Sequence, residues 1–332
     1  MKGIKLLMLA VGCALLVACT KTDDTETQPV PIGFVPTMAS QTRGTDLTND
    51  NLANFGVFAY FTQGGSFNSA ADTGSTPNFM CNQKVAKPTG SWTYNPMKYW
   101  PANTADKLSF FAYAPYVDEM AIESSNLTLP KNTDSGYPIF IYTVPAAEAN
   151  QIDLLASIPL MNRIYSNDDD NTHVNFTLKH TLTKVKFVIK SQMDAHVTAL
   201  SVNNASKKAT LTFTDSGFGW GNSYTGTQIF TATLANGGIG VVADAADAQT
   251  LATFYLLPHK SSATFSITYL QDGETVAENV TNAAFPSSPA SWDLGANVTY
   301  QFNIKNDGLS ISTISIGKDW NDGGEETVDS TD

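Results

Sequence analysis

Residues 174–182 read Val174-Asn175-Phe176-Thr177-Leu178-Lys179-His180-Thr181-Leu182, with an apolar or aromatic ring side chain at every second position. Successive side chains of an extended strand point to opposite faces, so Val174, Phe176, Leu178, His180 and Leu182 share one face. The intervening Asn, Thr and Lys take the other. This spacing is that of a strand with one buried side. Val185, Phe187 and Ile189 continue the alternation out of phase, which predicts a bulge or bend near Thr183-Lys184.

The same period recurs on both sides of this stretch. Upstream, Leu108, Phe110, Ala112 and Ala114 alternate up to Pro115, and Phe111 and Tyr113 between them predict a strand buried on both faces. Phe55, Val57, Ala59 and Phe61 alternate before them, and Gly64 to Asn82 has no period and reads as a long loop. Downstream, Ala209, Leu211 and Phe213, then Ala263, Phe265, Ile267 and Tyr269, then Val298, Tyr300, Phe302 and Ile304 each mark a strand. Helical patches are expected only around Ala146 to Leu155 and Ala243 to Leu251. Many short strands joined by turn-rich segments predict an all-β fold built of sandwiches. A chain of 332 residues exceeds the usual single core, so two β-sandwich units are expected, an N-terminal one over 30–168 and a C-terminal one over 169–332. The acidic run Asp168-Asp169-Asp170 marks the division between them.

Composition removes several classes of function. Lys and Arg total 19 against 31 Asp and Glu, a net charge of -12, and the basic residues are scattered, which argues against nucleic acid as a partner. Only 15% of residues are charged, and no long window pairs helix formers with a 3.6-residue period, which excludes coiled coils and helical bundles.

Lys2 and Lys5 precede an apolar run from Leu6 to Ala18, too short for a mature membrane span, so residues 1–18 read as a signal peptide. Its end, Leu16-Val17-Ala18-Cys19, resembles the lipobox of bacterial lipoproteins, in which a lipidated cysteine becomes the new N-terminus. Cys19 would then anchor the protein to a membrane without spanning it. Residues 19–29 read as a tether, and the Thr20 to Glu26 part of it resembles the acidic export signal that sends some lipoproteins of Bacteroidales to the outer face of the outer membrane.

With Cys13 in the signal peptide and Cys19 lipidated, Cys81 is left without a cysteine partner and reads as a buried small hydrophobe. His173, His180, His196 and His259 are the four histidines, and His180, in an apolar row, reads as a core residue rather than a base. Neither a Gly-x-Ser-x-Gly elbow nor a His-Glu-x-x-His pair occurs, and Gly217-x-Gly219-x-Gly221 lacks the flanking strand and helix of a phosphate cradle. No catalytic residue, cofactor or metal is expected. Asp168 to Asp170 could attract calcium, but a solvated acidic loop is the favoured reading.

The segment Val30 to Met38 has its own character. Val30, Ile32, Phe34 and Met38 fall on one face, while Pro31 and Pro36 suit an edge position because proline cannot donate to a ladder. An edge strand that left would expose unpaired backbone and an apolar trough, which an incoming strand would fill.

Several motifs occur in a telling order: Tyr94-Asn95-Pro96 with Lys98-Tyr99-Trp100-Pro101, Leu108 through Pro115, Asp153-Leu154-Leu155-Ala156, Val174 through Leu182, Tyr255-Leu256-Leu257-Pro258, Trp292-Asp293-Leu294-Gly295 with Tyr300, and Trp320 before Gly323-Gly324. Together they resemble the fimbrillin family of Bacteroidales, the type V pilins, over nearly the whole mature chain. The resemblance implies two transthyretin-like β-sandwich domains in tandem and a fimbrial subunit, stalk or accessory or tip adhesin, on the cell surface. It also implies export as an outer-membrane lipoprotein, arginine-specific removal of the N-terminal strand, and strand exchange with other fimbrial subunits. On this chain that assigns processing to Arg43 and Gly44 and exchange to Ile32, Phe34 and Met38. Asn321 to Glu326 is too polar to fill a trough, so a donor strand is expected from Leu309 to Ile316. The alternative is a surface glycan-binding lipoprotein with a flat platform made by Trp92, Trp220 or Trp292.

Overall fold

The computed structural model describes residues 28–38, 46–67, 75–118, 126–165, 173–235, 237–260, 262–317, 320 and 326–327. These form three sheets. The first runs β1 (Gly33–Met38), β9 (His173–His180), β7 (Leu155–Ser157), β4 (Leu108–Ala114), β2 (Asn54–Phe61) and β3 (Met80–Ala86), with β8 (Leu160–Arg163) also paired to β4. The second runs β17 (Glu278–Ala284), β16 (Thr264–Gln271), β11 (Ala195–Thr214), β6 (Ile139–Thr143) and β5 (Leu127–Thr128), with β12 (Gly217–Trp220), β13 (Thr225–Thr231) and β14 (Ile239–Val241) paired to β11. The third runs β15 (Gln249–Leu256), β10 (Thr183–Ser191), β18 (Asn297–Lys305), β19 (Gly308–Gly317) and β20 (Glu326–Thr327). The all-β sandwich expectation holds.

Each strand forms where alternation or continuous apolarity called for it. Every residue of β4 is buried, because its two faces serve different cores. One face carries Phe110, Ala112 and Ala114 into a cluster with Phe34, Phe55 and Phe176, closed over by Trp92, Tyr94 and Trp100. The other presents Phe111 and Tyr113 to the second sheet, where Phe111 meets Phe213 of β11 at 5.4 Å and Tyr113 meets Phe140 of β6 at 5.2 Å between ring centroids. The second and third sheets pack through Phe265 of β16 against Phe302 of β18 at 5.3 Å, with Phe187 stacked on Phe302 at 5.7 Å.

The strand β11 joins these cores. Its N-terminal part pairs with β16 and its C-terminal part with β6 and β12. At about 3.3 Å per residue its twenty residues span about 65 Å, so one strand serves both packed layers.

Three expectations change, and the slip ahead of Val185 is resolved. The division at 168/169 does not follow the sheets: β9 lies between β1 and β7 in the first sheet, because its Val174, Phe176 and Leu178 complete the apolar face begun by Ile32 and Phe34. The phase slip ahead of Val185 is the bend of the two alternatives, a corner where β9 ends at His180 in the first sheet and β10 starts at Thr183 in the third. Of the two helical patches, Ala146 to Leu155 holds a single 3-10 turn, Glu148–Asn150, and Ala243 to Leu251 runs through turns into β15. Leu309 to Ile316 is built into β19, paired along its length with β18 and at Ser315 and Ile316 with β20, so it is not a free donor strand.

Candidate functional site: the β1 edge and its anchorage

The strand β1 stands at one end of the first sheet. It runs parallel to β9 in a continuous register from Gly33↔His173 to Met38↔Leu178. Among the described residues no strand pairs with its other edge; the chain ahead of it is held by bonds from the Ile32 N–H to the Lys98 carbonyl and from the Trp100 N–H to the Val30 carbonyl, each 2.9 Å. Tyr94 adds its hydroxyl, which donates to the Ile32 carbonyl at 2.8 Å.

The expected exchange residues Ile32, Phe34 and Met38 all point inward, at 0%, 3% and 7% exposure, while Val35 and Thr37 face solvent. Phe34 is the centre of this contact. Its ring stacks on Phe176 at 5.8 Å, meets Phe55 and Phe110 edge-on at 6.4 and 6.1 Å, and lies 5.2 Å from Tyr94. Burial of such side chains contributes about 1.5–3 kcal/mol each, and the trough left by their departure would be apolar on its floor and unpaired along β9. Gly33 makes room for His173: a Cβ there would sit 2.4 Å from the imidazole Cδ2.

Downstream of β1 the chain is fastened at once. The Met38 N–H donates to Asn49 Oδ1 at 2.8 Å, and the Leu47 N–H donates to Asp153 Oδ2 at 2.8 Å. The fully buried Asp46 receives the Lys184 ammonium on one carboxylate oxygen and the Tyr255 hydroxyl, at 2.7 Å, on the other. His180 Nδ1 lies 2.8 Å from Asp153 Oδ1, and its ring stacks on Trp320 at 3.9 Å. Trp320 in turn stacks on Tyr255 at 5.2 Å and lies beneath the Lys184 ammonium at 5.5 Å. One compact cluster thus ties residues 46–47, strands β9, β10 and β15, and the C-terminal Trp320. Burial raises the Asp153 carboxyl above its ordinary range, against the opposing pull of the His180 ring and the Leu47 N–H.

His180 is therefore a buried, hydrogen-bonded residue, as its place in the apolar row implied. Its partners Asp153, Asp46, Lys184 and Tyr255 were missed, since they are scattered over 209 positions of sequence separation and none stands in a motif of titratable residues. Cys19, Arg43, Gly44 and Asp168 to Asp170 lie outside the described residues; Arg43 and Gly44 fall between the fastened Met38 and Asp46. Cys81 is half-buried rather than buried. Among the described residues no three His, Cys, Asp or Glu side chains gather to hold a metal ion.

The tryptophan platform of the alternative reading is not formed. Trp292 is buried, with its indole N–H donating to the Tyr300 hydroxyl at 3.1 Å. Trp220 is half-buried with its N–H on the Thr181 carbonyl, and Trp92 stands edge-on to Phe55 at 5.1 Å. Each ring packs against a core, Trp92 against that of Phe34 and Phe55, Trp220 and Trp292 against the other.

The fimbrillin-like family matches residues 42–320 of the chain. The chain belongs to the fimbrillin-like family. Its members are structural proteins rather than enzymes. Over 191 residues the fimbrillin-like chain is 30% identical to fimbrium subunit Fim1C of Phocaeicola vulgatus, an alignment covering 55% of this chain and 50% of that protein; the chain spans about half the length of this curated relative. A crystal structure of a fimbrial protein from Bacteroides vulgatus has the same fold, with a TM-score of 0.67, 22% identity, and coverage of 87% of this chain and 99% of that one.

Two predictions follow from this geometry. Phe34→Ala should lower unfolding stability by about 3–5 kcal/mol, whereas Val35→Ala should change it by less than about 0.5 kcal/mol, in chemical denaturation of the intact chain. The second concerns Asp153, whose folded-state pKa lies above its unfolded one. Its contribution is fully present below about pH 4 and is lost as the pH rises through the folded-state value. Asp153→Asn, which can still accept from the Leu47 N–H, should remove that decline, seen as a flatter melting temperature from pH 4 to neutrality; parallel curves for the two proteins would contradict it.

Proposed function

We propose that the chain is a subunit of a cell-surface fimbrium, lipid-anchored through Cys19 before assembly and joined to other fimbrial subunits by β-strand exchange. Cleavage after Arg43 separates the lipidated segment and β1 from the body, and a strand of a neighbouring subunit takes the place of β1 beside β9. The observation that carries this reading is the edge position of β1, held by one long ladder, three inward side chains and a few bonds at its two ends, which a replacement strand can supply. Three further facts support it. The family match begins at residue 42, after β1. The body is fastened again from Asp46 onward, so a cut at Arg43 leaves the cluster around Asp153 intact. The relative that is 30% identical is itself named a fimbrium subunit.

Treatment of the purified chain with an arginine-specific protease should yield a body beginning at Gly44 and strand-exchanged oligomers in the same reaction. Arg43→Ala should be left uncut at this position and stay monomeric. Oligomers from the Arg43→Ala chain, or a body cut at Gly44 that stays monomeric and folded, would refute the exchange route.

A further inference from the structure

Three groups fasten residues 46–47 to the body. The Lys184 ammonium and the Tyr255 hydroxyl meet the two carboxylate oxygens of Asp46, and His180 holds the Asp153 carboxylate that accepts the Leu47 N–H. His180, Lys184 and Tyr255 come from β9, β10 and β15, strands of two different sheets. All three meet one ring. Trp320 stacks on His180 at 3.9 Å and on Tyr255 at 5.2 Å, each within 12° of parallel, and the Lys184 Nζ stands 5.5 Å from its centroid. A buried aromatic plane keeps water from the charges that it covers, and attraction between charges weakens as water enters. Trp320 therefore shields every one of these fastenings together.

The ring belongs to the far end of the sequence. Past β19 the described residues are Trp320 and β20, whose two residues pair with Ser315 and Ile316. The indole N–H of Trp320 is buried and has no acceptor among the described residues, so the ring is held there by packing and by the Lys184 cation. Undocking returns that N–H to water, which favours release and offsets part of the lost packing. A contact poised in this way has two states, docked and free.

We propose that Trp320 is a releasable latch. Docked, it fastens the start of the body at Asp46 and Leu47; free, it lets both go, so the C-terminal segment sets how tightly the chain just past Arg43 is held. The coupling runs both ways, since whatever loosens residues 46–47 loosens the Trp320 ring by the same factor. A segment is cut by a protease in proportion to its local opening, so the docked ring also restrains cleavage at Arg43. That last step rests on the processing reading, whereas the coupling itself does not.

Hydrogen exchange at the Leu47 amide reads the latch in the uncut chain. Trp320→Ala should speed exchange there by about tenfold or more while the β4 amides keep their rates, and Trp320→Phe, which retains a ring to stack, should stay close to the unaltered chain. Phe265→Ala, which removes a buried ring from the core between the second and third sheets, should leave Leu47 slow. Unchanged Leu47 exchange in Trp320→Ala, an equal rise across β4, or the same acceleration in Phe265→Ala would overturn the latch. Digestion with an arginine-specific protease then separates the two claims. The terminus at Gly44 should appear faster from Trp320→Ala than from the unaltered chain, and equal rates would overturn the restraint on processing. If neither chain is cut at Arg43 although Leu47 is loosened, the processing reading fails and the latch stands.

Discussion

The contact between Phe34 and Phe176 is the interaction on which the first sheet's architecture turns. Both rings belong to one apolar face, yet they are 142 positions apart and are joined by a single parallel ladder. A strand in the middle of a sheet is held by two ladders; β1 is held by one, plus its inward side chains. Its loss therefore breaks one ladder while opening an apolar trough. Such a combination is costly in an isolated monomer and useful in a polymer, because any extended segment with the same inward pattern restores both terms.

The rest of the chain is arranged so that loss of β1 need not propagate. β11 threads both packed layers, and the cluster of Asp46, Asp153, His180, Lys184, Tyr255 and Trp320 secures the chain just past β1 to three strands and to the C-terminal side. Removing one partner of a buried ion pair costs about 3–5 kcal/mol, so a paired Asp46 and Lys184 resist local opening there.

Much of the fold was legible because its strands are simple alternators. Ile32, Phe34 and Met38, Leu108 to Ala114, and Val174 to Leu178 each bury the face that their spacing specified, and the prolines of the Val30–Met38 segment foretold its edge position. What could not be read was partnership. The period of β9 says that one face is buried but not against which sheet, so the acidic run ahead of it looked like a domain boundary when it joins two strands of one sheet. The slip before Val185 was visible as a bulge or bend, but that the bend is a corner between two sheets was not. The cluster at Asp46 escaped because hydrogen bonds across 209 positions leave no local pattern. The tryptophans of the alternative reading, Trp92, Trp220 and Trp292, pack against the cores instead.

The central claim is that β1 and β9 share an edge that can be vacated and refilled while the body stays folded. Hydrogen exchange across His173–His180 measures this directly in three states: the intact chain, the cleaved chain freed of β1, and the assembled polymer. The account predicts protected β9 amides, then rapid exchange at the alternate amides that faced β1, then renewed protection, with β2 and β4 unchanged throughout. Protection of β9 that survives the loss of β1, or exchange that spreads into β2 and β4, would contradict it.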